Sequence, residues 1–221
     1  MANDIGWGEG ACNNDISWGI AQEYFSCSGS EAAVGATLMK TGQTTSYRTG
    51  DDGDLEAGRA TNFTTLATAN PFGNTNRFTD ELGGSTYTNN IVIDWSTYDG
   101  STVLGISRVA IATGNTWNQA VDNSLAYSVG TFTSGWRLPN MKEIFNLLNY
   151  ANSEANLLNY SPLNLSSTSR IYWSANTLSS ATTSAYTFNN VGNTSTMTKV
   201  TSANMTYFPV RTFTVSGTTL T

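Results

Sequence analysis

Apolar side chains in this sequence come in short runs, each closed within a few residues by Ser, Thr, Asn or Gly. The clearest are Ile91-Val92-Ile93-Asp94-Trp95, Val103-Leu104-Gly105-Ile106, Tyr172-Trp173-Ser174, Ala185-Tyr186-Thr187-Phe188 and Tyr207-Phe208-Pro209-Val210-Arg211-Thr212-Phe213. Runs this short, aromatic or β-branched and bounded by turn residues, read as strands. No stretch approaches the apolar length needed to span a bilayer. Ser, Thr and Asn together fill roughly a third or more of the 221 residues, far above average usage. Six Trp and ten Tyr argue against a disordered chain, which would be poor in aromatics and rich in charge. The composition points to a compact domain with short strands and a hydroxyl- and amide-rich surface.

Two segments depart from the strand pattern. Thr116 can cap a helix over Trp117 to Tyr127, with Trp117, Ala120, Val121, Ser124 and Leu125 at helical spacing. Asn140 can cap a second helix over Met141 to Ala151, where Glu143 completes an approximate capping box. Ile144, Leu147 and Leu148 form its buried stripe. Helices between groups of strands give an α+β expectation.

Charge narrows the function. The net charge is −6 and only three residues are Lys. Nucleic-acid binding needs a basic stripe to neutralise phosphates, and none exists. The chain has no His. That removes the commonest general base, the Ser-His and Cys-His pairs, and the usual zinc ligand. Carboxylate pairs remain, but Asp51, Asp52 and Asp54 would serve a glycosidase only if two faced each other across a cleft. The expectation is a protein that is not an enzyme and does not insert into a membrane.

The first 35 residues differ from the rest. Asn3-Asp4-Ile5-Gly6-Trp7-Gly8 recurs as Asn14-Asp15-Ile16-Ser17-Trp18-Gly19. Two copies are too few for a solenoid, and the Gly and Asn content opposes a long helix. Residues 1–35 therefore read as an extended N-terminal arm, with Ile5, Trp7, Ile16 and Trp18 packing on a partner or back on its own domain. Residues 36–221 form the domain. Cys12 and Cys27 either close one disulfide loop or remain as two buried thiols. Met1 to Gly10 has neither the basic nor the apolar region of a Sec signal peptide. Further on, Asp51, Asp52, Asp54 and Glu56 cluster around Gly53. They resemble a calcium loop but lack the distal bidentate Glu at its spacing. The alternative is an Asp/Gly turn with its charges in water, leaving no cofactor.

A series of short motifs runs along the chain: Lys40-Thr41-Gly42-Gln43-Thr44, Gly50-Asp51-Asp52-Gly53-Asp54-Leu55, Arg77-Phe78-Thr79-Asp80, Thr116-Trp117, Trp136-Arg137-Leu138-Pro139 with Lys142-Glu143, Tyr172-Trp173-Ser174, and Val210-Arg211. In these residues the chain resembles the Lcl C-terminal domain family, named for a collagen-like bacterial adhesin and abundant in bacterial surface and phage proteins. The motifs follow the family's order over about residues 40–213. The resemblance implies a C-type-lectin-like fold, with two helices against small antiparallel sheets and long irregular loops. Arg137 and Arg211 read as structural, each buried, pairing with Glu143 or an Asp and holding strands to helices. Trp136 and Trp173 read as core aromatics. A formylglycine-generating-type oxidase has a related fold but uses a cysteine pair within the domain, whereas Cys12 and Cys27 lie in the arm.

These readings converge on a bacteriophage virion structural protein: a tail fibre, tail-tip or head-decoration subunit. Its arm would join other virion proteins, and its lectin-like domain would attach to a host-surface glycan or protein as part of a homo-oligomer. A secreted adhesin at the bacterial surface is the alternative. Receptor contact is expected between Asn176 and Asn204, with Asn176, Thr177, Tyr186 and Asn189 as ligand-binding candidates. Their side chains donate and accept hydrogen bonds without the desolvation cost of a charge.

Overall fold

The computed structural model describes residues 43–55, 63–108, 114–152, 157–158, 160–165, 171–189 and 191–221. All of them belong to the unit Leu38–Thr221. The arm residues Ile5, Trp7, Ile16 and Trp18, the two cysteines and Glu56 lie outside the described residues.

In chain order the elements are α1 (Asp52–Leu55), β1 (Phe78–Thr79), β2 (Ile91–Asp94), β3 (Thr102–Ser107), α2 (Trp117–Leu125), β4 (Trp136–Arg137) and α3 (Met141–Asn146). Then come β5 (Ile171–Thr177), β6 (Ser184–Asn189), β7 (Thr194–Thr198), β8 (Met205–Thr206), β9 (Val210–Ser216) and β10 (Thr219–Leu220). Among the described residues the protein is mostly β, compatible with the α+β class, and α2 and α3 are the two helices of more than one turn. One sheet runs β1-β2-β3-β9-β10 with β4 beside β9, and the other runs β7-β6-β5-β8. Every pairing is antiparallel except β5 with β8.

At β2 the first sheet is buried on both faces, which is why Ile91-Val92-Ile93 is an unbroken apolar run rather than an alternating one. One face carries Val92, Leu104, Ile106 and Val210 against Ile144, Leu147 and Leu148. The opposite face carries Ile91, Ile93, Val103, Trp136 and Phe213. Pairing of β3 with β9, from Thr102↔Thr214 to Ile106↔Val210, brings a strand from the far end of the sequence to the middle of this sheet. Gly105 permits that packing, because a Cβ there would stand 2.3 Å from the Phe213 ring. A third cluster joins Ala120 of α2 to Leu138, Trp173, Ala185, Met205 and Tyr207. Trp136 and Trp173 are core residues, as expected, at 1% and 0% exposure.

Both expected capping arrangements are present. Thr116 caps α2 in a capping box with Gln119, and Asn140 caps α3 in one with Glu143. The helices are shorter than the sequence pattern suggests. Helix α3 stops at Asn146 because tertiary donors take its last carbonyls: Arg77 Nη2 donates to Asn146 C=O at 2.6 Å, and the Tyr160 hydroxyl to Leu147 C=O at 2.7 Å. Leu147 and Leu148 are still buried, but beyond the helix. In α2, Leu125 lies past the covered part of the stripe and is 60% exposed.

Three further expectations change. The run from Tyr207 to Phe213 is not one strand, since Pro209, without an N–H, separates β8 from β9. Arg137 does pair with Glu143, through bonds of 2.8 and 2.6 Å, but its side chain is 39% exposed rather than buried. Arg211 has no carboxylate partner among the described residues. Its guanidinium lies over Phe132 and Phe213, 5.1 and 4.7 Å from the ring centroids, because its register on β9 puts it on the aromatic face.

Candidate functional site

The four candidate residues fall on two faces and two ends of the second sheet. Cross-strand partners share a face, so Thr177, Ala185 and Met197 stand together on the face that packs against α2 and Trp173. Tyr186 pairs with Thr196 and occupies the opposite face with Tyr172 and Phe188. That second face is where α3 packs. Phe145 of α3 meets Phe188 edge-on with ring centroids 5.7 Å apart.

Asn176 caps α3 from outside the helix. Its Oδ1 accepts the Met141 N–H at 2.8 Å, an N-terminal donor with no partner inside the helix. Asn189 has a similar local task at the other end of β6, where its Oδ1 accepts from the N–H groups of Val191 and Asn193 at 3.2 and 2.8 Å. Thr177 Oγ1 accepts from Lys199 Nζ at 2.9 Å. The structure therefore brings Thr177 to Lys199 and Asn176 to α3, and sets Asn189 apart at a turn.

Tyr186 is the candidate with its ring least committed. It is half-buried, and its backbone carbonyl accepts the Ser174 hydroxyl at 2.8 Å. Around it on the same face stand Ser184, Thr194, Thr196 and Thr198, the three threonines all exposed. Phe145, 43% exposed, borders this ledge beyond Phe188. The ledge is one phenol ring among hydroxyls that both donate and accept, with no charge in its strands β6 and β7.

The opposite face holds a residue the sequence reading passed over. Lys199 places its ammonium 4.0 Å from the centroid of the Trp117 ring, a cation–π contact. Trp117 is fixed in turn by donation from its Nε1 to Ser174 C=O at 2.9 Å. The signal was present: Lys199 is the only charged residue between Arg170 and Arg211. Its partners lie far off in sequence, so the pattern around it was silent.

Two members of the acidic cluster, Asp51 and Asp54, are engaged by neighbouring backbone N–H groups. Asp51 Oδ2 accepts from the N–H groups of Tyr47 and Arg48, its Oδ1 from Asp54 N–H, and Asp54 Oδ2 from Gly50 N–H at 2.8 Å. The Tyr47 bond leads in holding the Asp51 carboxyl below its ordinary value. The bonds at Asp51 and Asp54 are those of an Asp/Gly turn. Among the described residues, no group of three or more His, Cys, Asp or Glu could hold a metal ion.

The most buried charges are structural. Arg77 and Asp94 form a bidentate pair, Nε to Oδ1 and Nη2 to Oδ2 at 2.9 Å each, with both side chains at 0% exposure. Arg77 also lies over the rings of Phe63 and Phe78, at 4.4 and 4.5 Å, and Asn146 Nδ2 donates to Asp94 Oδ2 at 3.1 Å. Burial alone would lower the Arg77 guanidinium, and Asp94 more than offsets that, leaving it above its ordinary value. This pair ties β1, β2 and the end of α3 together and offers nothing to a ligand. Compared with family models, curated proteins and solved structures, the chain matches none of them.

Proposed function

We propose that this chain is a non-enzymatic structural protein of a bacteriophage virion, a fibre, tail-tip or head-decoration subunit. Residues 1–35 attach it to other virion proteins, and residues 36–221 form an Lcl-type, C-type-lectin-like domain that binds a host-surface glycan or protein. The observation that carries the binding role is the uncharged ledge of Tyr186, Ser184, Thr194, Thr196 and Thr198. A ring that stacks on the C–H face of a sugar, ringed by hydroxyls that bond its substituents, is chemistry suited to a neutral glycan. Support for the family reading comes from where its residues fall. Arg77, Trp136, Tyr172, Trp173 and Val210 occupy the buried joints, so the motif residues frame the domain and leave the ledge outside it.

The test uses the purified full chain on an array of bacterial surface glycans and on intact host cells. Tyr186→Ala should weaken binding about tenfold, the loss of one stacked ring, with an unchanged unfolding midpoint. Antibodies to the chain should label intact particles. Binding that survives Tyr186→Ala places the contact elsewhere, and particles without label remove the virion assignment.

A further inference from the structure

Strand β7 ends the four-stranded sheet, so among the described residues one of its edges has no strand beside it. Two bonds fix which backbone groups lie on that edge. Asn189 N–H donates to Asn193 C=O at 3.0 Å, and Lys199 N–H donates to Thr183 C=O at 2.9 Å. With the register Ser184↔Thr198 to Phe188↔Thr194, antiparallel alternation directs Ser195 and Met197 to bond with β6. It turns the N–H and C=O groups of Thr194, Thr196 and Thr198 outward. Of these outward groups, only Thr198 C=O has another partner among the described residues, accepting from Thr201 N–H at 2.9 Å. A carbonyl oxygen keeps a second lone pair for a further donor.

An open edge is a template for another strand, and proteins blunt such edges with Pro, Lys, bulges or very short strands. Here β1, β8 and β10 are two residues long. The segment before β1 is bonded by Arg77 N–H to Thr64 C=O, and Met205 of β8 accepts from Gly114 N–H. Strand β7 has none of these devices. Thr194-Ser195-Thr196-Met197-Thr198 contains no Pro and no charge, and its pairing with β6 has no bulge. The adjacent Lys199 is turned onto Trp117 and Thr177 instead of guarding the edge.

We infer that β7 is the pairing edge for a second copy of this chain, the two strands running antiparallel about a two-fold axis at Thr196. The edge is self-complementary. Thr196 faces the partner's Thr196, Thr194 faces the partner's Thr198, and every outward N–H then meets an outward C=O. Cross-strand threonine pairs are themselves favourable. Charge does not oppose the seam: the chain carries −6 overall, yet Lys199 is the only charge between Arg170 and Arg211. The pairing makes one eight-stranded sheet and leaves both Tyr186 rings on the same face, about 14 Å apart at three strand spacings. The inference rests on the backbone of β7 and stands whatever the Tyr186 ledge binds.

Sedimentation of the full chain over a concentration series, with amide hydrogen exchange, tests it. The unaltered chain should sediment as a dimer, and the Thr196 amide should become more protected as concentration rises, while Ser195 and Met197 stay protected throughout. Thr196→Pro removes an outward N–H, so β6 should keep its bonds while the chain becomes monomeric, with the unfolding midpoint that the unaltered chain shows at dilutions where it is itself monomeric. Thr196→Lys sets like charges across the axis and should do the same. A monomer whose Thr196 amide exchanges freely at every concentration overturns the inference. So does a dimer that persists in both variants, which would use another surface. If neither variant folds, the exchange of the unaltered chain decides alone.

Discussion

At the scale of single residues, burial decides which charges matter. Arg77 and Asp94 are wholly enclosed, whereas Arg137 is 39% exposed beside Glu143. Arg77→Ala leaves a carboxylate in the interior without its cation, so the cost should be about 3–5 kcal/mol. Arg137→Ala should cost no more than about 1 kcal/mol, as for other solvated pairs. Denaturant unfolding of the two variants measures the contrast, and equal losses would contradict it. Asp80 gives a pH signature. Burial pushes its carboxyl up, but N–H donors from Gly84, Thr86, Tyr87 and Leu82 outweigh that and hold it below its ordinary value. A group lowered in the folded state stabilises above its unfolded pKa and loses that contribution as pH falls through the folded one. Asp80→Asn should therefore be less stable near neutral pH, with the gap closing as the pH drops below about 4. Thermal melts across that range read it directly.

At the scale of elements, α3 is a short helix held at both ends. Asn140 and Glu143 close its capping box, Asn176 reaches across from β5 to a further N-terminal donor, and Arg77 takes a C-terminal carbonyl. A six-residue helix has little stability of its own, so these contacts define it. Asn140→Ala should cost about 1 kcal/mol, and Asn176→Ala a similar or smaller amount, by chemical denaturation. A helix that tolerates both changes without loss would be held by packing alone. The start of α3 was legible in the sequence because capping is local, set by residues three apart. Its end was not, because Arg77 and Tyr160 act from 69 and 13 residues away. Likewise β7 has no apolar alternation to announce it; its Thr and Ser form a strand because β6 lies beside them.

At the scale of the whole molecule, the described residues of the unit 38–221 hold three apolar clusters and the buried Arg77–Asp94 pair. A chain beginning at Leu38 should unfold in one cooperative transition by calorimetry and should fail to join its assembly. Normal incorporation of that truncated chain would remove the attachment role from residues 1–35. The sequence by itself determined the strand-rich, two-helix character, the two helix starts and the burial of Trp136 and Trp173. Each of those follows from residue type and near-neighbour spacing. Only the tertiary structure decided that Asn176 and Tyr186 share one face while Thr177 joins Lys199 on the other. It alone decided that Arg211 lies on aromatic rings instead of a carboxylate, and that β7 is the outermost strand of its sheet among the described residues. Those outcomes depend on strand order and register between segments distant in the chain, and no local pattern of residues encodes a register.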